Sequence, residues 1–73
     1  MNFKDQLKIV IASDVDYEKL IAEIYRNDEF IALLQQEDGA DNIKVEFSPD
    51  LVSLNLEWFQ NALNKAKNKL LEQ

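Results

Sequence analysis

Cysteine and histidine are both absent from this chain of 73 residues. Their absence excludes disulfide bonds, zinc sites with thiolate or imidazole ligands, and catalytic pairs that need a cysteine nucleophile or a histidine base. No apolar run approaches the ~18 residues of a membrane-spanning helix, and the first residues lack the charged-then-apolar pattern of a signal peptide. We therefore expect a soluble, cytoplasmic protein that is not an enzyme and needs no cofactor or metal.

Glycine and proline are almost as scarce, with Gly39 and Pro49 the single example of each. The chain has no repeat, no low-complexity stretch and no segment with the composition of a linker. Leu, Ile, Val and Phe make up about a third of the residues, which supplies enough apolar side chain for a folded core. Residues 1–73 are thus expected to form a single domain.

Basic residues are outnumbered, with 8 Lys and Arg against 14 Asp and Glu for a net charge of −6. Residues 14–50 alone hold eleven acidic and three basic residues, a balance of −8. Direct binding to nucleic acid or to an anionic membrane is disfavoured, because phosphate contacts need Lys and Arg. An acidic field of this size favours a protein partner with a basic surface, although a charged surface that only keeps the chain soluble is the simpler alternative.

Two short segments have the pattern of β-strands. The run Leu7–Ala12 is apolar and β-branched, and Ile43–Phe47 alternates apolar and charged residues. In the first strand, one face would carry Leu7, Ile9 and Ile11. Leu51–Leu54, after the break at Pro49, is a candidate for a short fifth strand at the sheet edge.

Residues 16–37 fit either a helix or a β-hairpin. The apolar residues Tyr17, Leu20, Ile21, Ile24, Ile31 and Leu34 fall near helical spacing. Asn27-Asp28 instead suits a two-residue hairpin turn, since Asn and Asp tolerate left-handed backbone. Such a turn would place charged residues opposite charged ones and apolar residues opposite apolar ones across two strands. The pairs would be Arg26 with Glu29, Tyr25 with Phe30, Ile24 with Ile31, Ala22 with Leu33, and Ile21 with Leu34. This agreement favours the hairpin.

The C-terminal third has the pattern of an amphipathic helix. Asn55 is a suitable N-cap, Glu57 sits in the first turn, and Leu54 can pack onto Phe59 as a hydrophobic staple. The core-facing stripe would be Phe59, Ala62, Leu63, Ala66 and Leu70. The predicted fold is therefore α+β, an antiparallel sheet of four strands, or five, with one C-terminal helix on one face (ββββα).

One helix cannot cover both faces of such a sheet. Under the hairpin reading, one face would carry Leu20, Ala22, Ile24, Ile31 and Leu33, and the other Ile21, Tyr25, Phe30, Ala32 and Leu34 with Glu23 among them. The second face is either hidden by sheet curvature and the loop 14–19 or used as an interface, where aromatic residues are enriched. Candidate partner-binding residues are Glu23, Tyr25 and Phe30 on this face and Glu37, Asp38 and Asp41 in the loop before the last strand.

The loop 37–42 has some likeness to a calcium loop, but it lacks the residue order and the distant Glu of an EF-hand, so no metal is expected. The segments Asp16–Tyr25, Phe30–Leu33, Gln36–Gly39 and Ile43–Phe47, with the helix around Trp58-Phe59, resemble a family of small acidic bacterial proteins of unassigned function. By size, acidity and sheet-plus-helix design, the chain is similar in type to immunity proteins that neutralise toxic nucleases and to phage inhibitors that mimic DNA.

That resemblance implies no catalytic residue. The acidic strands and loops, with this likeness of type, lead to the first hypothesis, a non-enzymatic inhibitor that binds the basic surface of a nucleic-acid-handling protein. The alternative is a structural or regulatory module in which two copies of the chain bury the open sheet face against each other. The two hypotheses differ in salt response, because salt weakens charge-steered binding and does not weaken apolar dimerisation.

Overall fold

A computed structural model describes residues 5–73 of the chain. In chain order the elements are β1 (Leu7–Ala12), β2 (Ile21–Arg26), β3 (Glu29–Gln35), β4 (Lys44–Phe47) and α1 (Leu56–Leu71). The strands form one antiparallel sheet in the order β1-β2-β3-β4, with α1 packed on one face. The predicted ββββα fold is confirmed. Residues 51–55 have no regular secondary structure, so the suggested fifth strand is absent from the described part of the chain.

The turn between β2 and β3 decides the fold of the middle third. Asn27 and Asp28 have φ angles of 53° and 68°, the left-handed pair that a two-residue hairpin with right-handed strand twist requires. The backbone N–H of Asn27 donates to the carbonyl of Gln6 at 3.0 Å, and its side-chain oxygen accepts from the N–H of Gln6 at 2.8 Å. The hairpin reading of residues 16–37 is confirmed and the helical one is wrong.

Asn27→Ala is expected to destabilise the protein by ~1–3 kcal/mol, because alanine is strained in left-handed backbone and cannot replace the side-chain bond to Gln6. Urea denaturation followed by circular dichroism measures this loss. Asn64→Ala, on an exposed helix position, is the matched control and should change stability by less than ~0.5 kcal/mol. Equal effects of the two substitutions would contradict the role of Asn27 in the turn.

The register of the hairpin differs from the predicted one beyond its first two pairs. Arg26 pairs with Glu29 and Tyr25 with Phe30, as predicted. A β-bulge follows, after which the partners are Ile24 with Ala32, Glu23 with Leu33 and Ala22 with Leu34. The predicted pairs of Ile24 with Ile31, Ala22 with Leu33 and Ile21 with Leu34 are therefore wrong, because the bulge leaves Ile31 without an opposite residue.

The bulge also reassigns the two faces of the sheet. Ala32 and Leu34 turn toward the helix, where both are buried, and Leu33 turns to the opposite face. Ile31 remains buried in the helix-side core at 1% exposure, because a bulge lets two neighbouring residues point to the same side. The apolar content of the second face is consequently smaller than the sequence predicted.

The core lies between the sheet and α1. Its buried members are Ala22, Ile24, Ile31, Ala32, Leu34, Ala62, Ala66 and Leu70. As predicted, Leu7, Ile9 and Ile11 pack against this cluster, and the side chain of Asn55 caps α1 by accepting from the N–H of Trp58 at 2.9 Å.

Phe59 belongs to the predicted core stripe but is only half-buried. Its ring lies 5.8 Å from that of Phe47, and Phe47 is itself 55% exposed at the sheet edge. Alanine substitution of Phe59 should therefore cost less than the ~3–5 kcal/mol of a fully buried phenylalanine. Within residues 5–73, no helix combines the length and the apolar character needed to cross a bilayer.

Candidate protein-binding surface

The sheet face opposite α1 carries the aromatic residues that the sequence singled out. We call this the open face, and its half-buried centre is formed by Val10, Glu23, Tyr25, Phe30 and Leu33. The rings of Tyr25 and Phe30 meet edge to face, with centroids 5.8 Å apart and an interplanar angle of 68°. The ammonium of Lys8 lies 5.3 Å from the centre of the Tyr25 ring.

Glu23 is tied to this aromatic pair. The Tyr25 hydroxyl donates to its carboxylate at 3.1 Å, so the tyrosine ring is held against the sheet rather than turned into solvent. Burial, followed by the bond to the Glu23 carboxylate, raises the pKa of Tyr25. The structure thus brings Glu23, Tyr25 and Phe30 together into one apolar patch that carries one carboxylate.

The other end of the open face is covered by the loop 13–20. The hydroxyl of Tyr17 donates to the carboxylate of Glu46 on β4 at 2.5 Å. Ile21, which lies on the open face by strand alternation, is fully buried at 0% exposure. The loop therefore hides the open face where β2 begins, as expected. At the Tyr25–Phe30 end, no element of residues 5–73 covers this face.

Glu37, which the sequence predicted as a partner contact, instead holds two loops of the protein together. Its two carboxylate oxygens accept from the backbone N–H groups of Glu18 and Lys19, each at 3.0 Å. The neighbouring Gln36 amide donates to the carbonyl of Leu20 at 3.1 Å. These bonds lock the loop 13–20 to the loop 36–43, and the two are named here the acidic loop pair.

Asp38 and Asp41 lie in the same loop but are more exposed than Glu37. Asp38 forms an ion pair with Lys44 at 2.7 Å, and this hydrogen bond and charge lower the pKa of its carboxyl while raising the pKa of Lys44. Gly39 allows the turn between them through its φ of 107°, a left-handed conformation that glycine adopts without strain.

The predicted site residues fall into two groups at opposite ends of the sheet. Phe30 and Gln35 are five residues apart on β3, so the Tyr25–Phe30 patch and the acidic loop pair are separated by roughly 16 Å at ~3.3 Å per residue. The acidic loop pair holds six carboxylates against Lys19: Asp14, Asp16, Glu18, Glu37, Asp38 and Asp41. The arrangement is an apolar patch at one end of the sheet and a cluster of carboxylates at the other.

Sequence reasoning missed Tyr17, Leu33 and Glu46 as members of this surface. Leu33 reaches the open face only because of the bulge, and Tyr17 meets Glu46 across 29 residues of chain, which no local pattern reveals. The Glu46 hydrogen bond is the main cause that raises the pKa of Tyr17 to about 12.

Tyrosine titration is expected to report this contact. Both tyrosines of the folded protein should ionise above their ordinary pKa of 10, with Tyr17 near 12. Because the folded pKa of Tyr17 is raised, its contribution to stability is present below pH 10 and lost as the pH rises through 10 toward 12. Ultraviolet absorbance of the phenolate follows the titration. Glu46→Gln should return Tyr17 toward its ordinary pKa, whereas Glu57→Gln should not, and identical curves for the two variants would contradict the contact.

No three acidic side chains of residues 5–73 are grouped so as to hold a metal ion. The open face offers an aromatic surface from Tyr25 and Phe30 together with the carboxylate of Glu23. Comparison of the chain with family models, with curated proteins and with solved structures finds no significant match. The resemblance to small acidic bacterial proteins and to immunity proteins stays a prediction.

Proposed function

We propose that this chain is a small non-enzymatic binding protein that inhibits a protein partner with a basic, nucleic-acid-binding surface. The observation that carries the proposal is the Tyr25–Phe30 patch, which no element of residues 5–73 covers, on the same sheet as the acidic loop pair at its other end. Aromatic residues at the centre and charged residues toward the edge are the usual composition of a protein interface.

Charge supports a basic partner. The bonds from Glu18, Lys19 and Gln36 hold the two loops together, so their carboxylates are concentrated at one end of the sheet before binding. Such a concentration of negative charge attracts the Lys and Arg clusters that nucleic-acid-handling proteins use for phosphate. A protein that occupies such a cluster displaces the nucleic acid and so inhibits its partner.

The second candidate is self-association through the open face. The same Tyr25–Phe30 patch favours it, because two copies could bury their aromatic rings against each other. The net charge of −6 on each copy opposes it, since the acidic loop pairs would repel.

The proposal is tested by capture followed by an inhibition assay. The immobilised chain and its Phe30→Thr variant are exposed to a bacterial lysate, and proteins that only the parent retains are purified. Addition of the chain should abolish the nucleic-acid binding of the retained protein at equimolar ratio, and this effect should weaken as salt is raised.

Phe30→Thr is the matched control because threonine suits a strand and removes only the aromatic contact. Circular dichroism establishes that the variant is folded. The proposal is contradicted if both forms retain the same proteins, or if the retained protein keeps its nucleic-acid binding when the chain is added in excess.

A further inference from the structure

A second surface lies at the opposite side of the sheet, along the outer edge of β1. The backbone N–H and C=O of Gln6 both bond to Asn27, on the β2 side of the strand. Because backbone groups alternate in direction along a strand, those of Lys8, Val10 and Ala12 also point toward β2. The backbone N–H and C=O groups of Leu7, Ile9 and Ile11 then point outward. Within residues 5–73 no segment pairs with this outer edge.

Edge strands usually carry features that prevent pairing with other chains, and β1 has few of them. It is six residues long and bears one charged side chain, Lys8. The other edge strand, β4, has only four residues and carries Lys44 and Glu46. β1 is therefore the edge that can accept a further strand.

A groove lies beside this edge on the helix side. It has a volume of about 490 Å³, with Leu7 and Ile9 from β1 on one side, and Lys65, Asn68 and Lys69 from α1 with the C-cap residue Glu72 on the other. Lys65 and Lys69 bring two positive charges to the groove, and Glu72 is its single carboxylate. Lys8 does not contribute, because its side chain lies on the open face and pairs with Asp28 at 3.3 Å. The charge is thus complementary to carboxylates.

We propose that the outer edge of β1 binds an extended acidic segment of a partner protein, which adds to the sheet as a fifth strand. Main-chain hydrogen bonds join it to Leu7, Ile9 and Ile11, as in other cases of β-strand addition. Every second side chain of the bound segment is a carboxylate that points into the groove toward Lys65 and Lys69. The intervening side chains lie beside Val10 on the open face and are apolar.

A second copy of this chain fits the edge less well. Antiparallel pairing of two β1 strands would place both helices on the same side of a continuous sheet and bring Lys65 and Lys69 toward the same residues of the other copy. Like charges in such positions disfavour the pairing. The site consists of the β1 edge and the groove and reaches the open face only at Val10, so either proposal can hold without the other.

The test uses a blocked peptide of alternating valine and glutamate, with alternating valine and lysine and alternating glycine and glutamate as controls of equal length. Amide resonances of the isotope-labelled chain are followed by NMR. The valine–glutamate peptide should shift the amides of Leu7, Ile9 and Ile11, slow their hydrogen exchange and leave β4 unchanged. Neither control should do so, because one has the wrong charge and the other lacks β-propensity.

Charge reversal in the groove distinguishes binding at this site from a general attraction between acidic peptides and lysine side chains. The double variant Lys65→Glu and Lys69→Glu should weaken binding of the valine–glutamate peptide by roughly tenfold or more. Lys67→Glu is the matched control for the single variants Lys65→Glu and Lys69→Glu, because it changes the net charge by the same amount and Lys67 lines the pocket on the β4 side of the same helix. The proposal is overturned if Lys67→Glu weakens binding equally, if the glycine–glutamate peptide binds as well, or if the amides of β1 shift with protein concentration alone, which would identify a second copy as the occupant.

Discussion

Replacement of Ile24 by alanine is expected to remove most of the stability of this protein. Ile24 is fully buried at 0% exposure, pairs with Ile9 and Ala32 on the flanking strands, and belongs to the core cluster under α1. Truncation of such a side chain costs ~2–5 kcal/mol. The whole stability of a small domain lies near the lower end of ~5–15 kcal/mol, so little would remain.

Urea denaturation monitored by circular dichroism measures this effect. Ile24→Val removes a single methylene and should cost only ~0.5–1.5 kcal/mol. Val52→Ala is the surface control, because Val52 is 95% exposed and its truncation should change stability by less than ~0.5 kcal/mol. An Ile24→Ala variant that unfolds at the same urea concentration as Val52→Ala would show that the core lies elsewhere.

The second large effect is expected in binding, once a partner is purified. Phe30→Thr should weaken the complex by ~2 kcal/mol, about thirtyfold, mainly through faster dissociation, because aromatic residues at the centre of an interface dominate its energy. Charge reversal at Asp16 and Asp41 should instead slow association and flatten its salt dependence. Surface plasmon resonance at two salt concentrations separates the two rates.

Asp38 is a poorer choice for charge reversal, although the sequence suggested it equally with Asp41. Its ion pair with Lys44 would be broken, so an effect on binding could arise from a displaced loop. Glu37 is unsuitable for the same reason, since it holds the backbone of Glu18 and Lys19. If the reversals at Asp16 and Asp41 leave the association rate unchanged, the acidic loop pair does not steer the partner.

The overall fold could be predicted from sequence because its signals are local. Asn27-Asp28 fixes the hairpin through left-handed backbone, and Asn55 with the apolar stripe fixes the helix. The bulge could not be predicted. The segment Phe30–Leu34 is apolar throughout, so no polar residue marks which side chains face solvent, and an inserted residue at Ile31 leaves no trace in the pattern.

The sequence indicated which residues lie near one another at the hairpin, but it did not indicate which of the candidate carboxylates bond to the protein's own backbone. The Glu23, Tyr25 and Phe30 cluster follows from the turn, because residues close to a hairpin turn pair in a register that the turn sets. The role of Glu37 as a brace for a loop 18 residues away depends on the folded chain, and an exposed carboxylate looks the same in sequence whether it binds a partner or its own backbone.

Sedimentation equilibrium of the chain alone tests most directly whether the open face is kept free for a different protein. We expect one species with the mass of a single chain at both low and high salt, unchanged by Phe30→Thr. A dimer that persists at high salt and dissociates on Phe30→Thr would contradict the account, because the Tyr25–Phe30 patch would then already be occupied by a second copy.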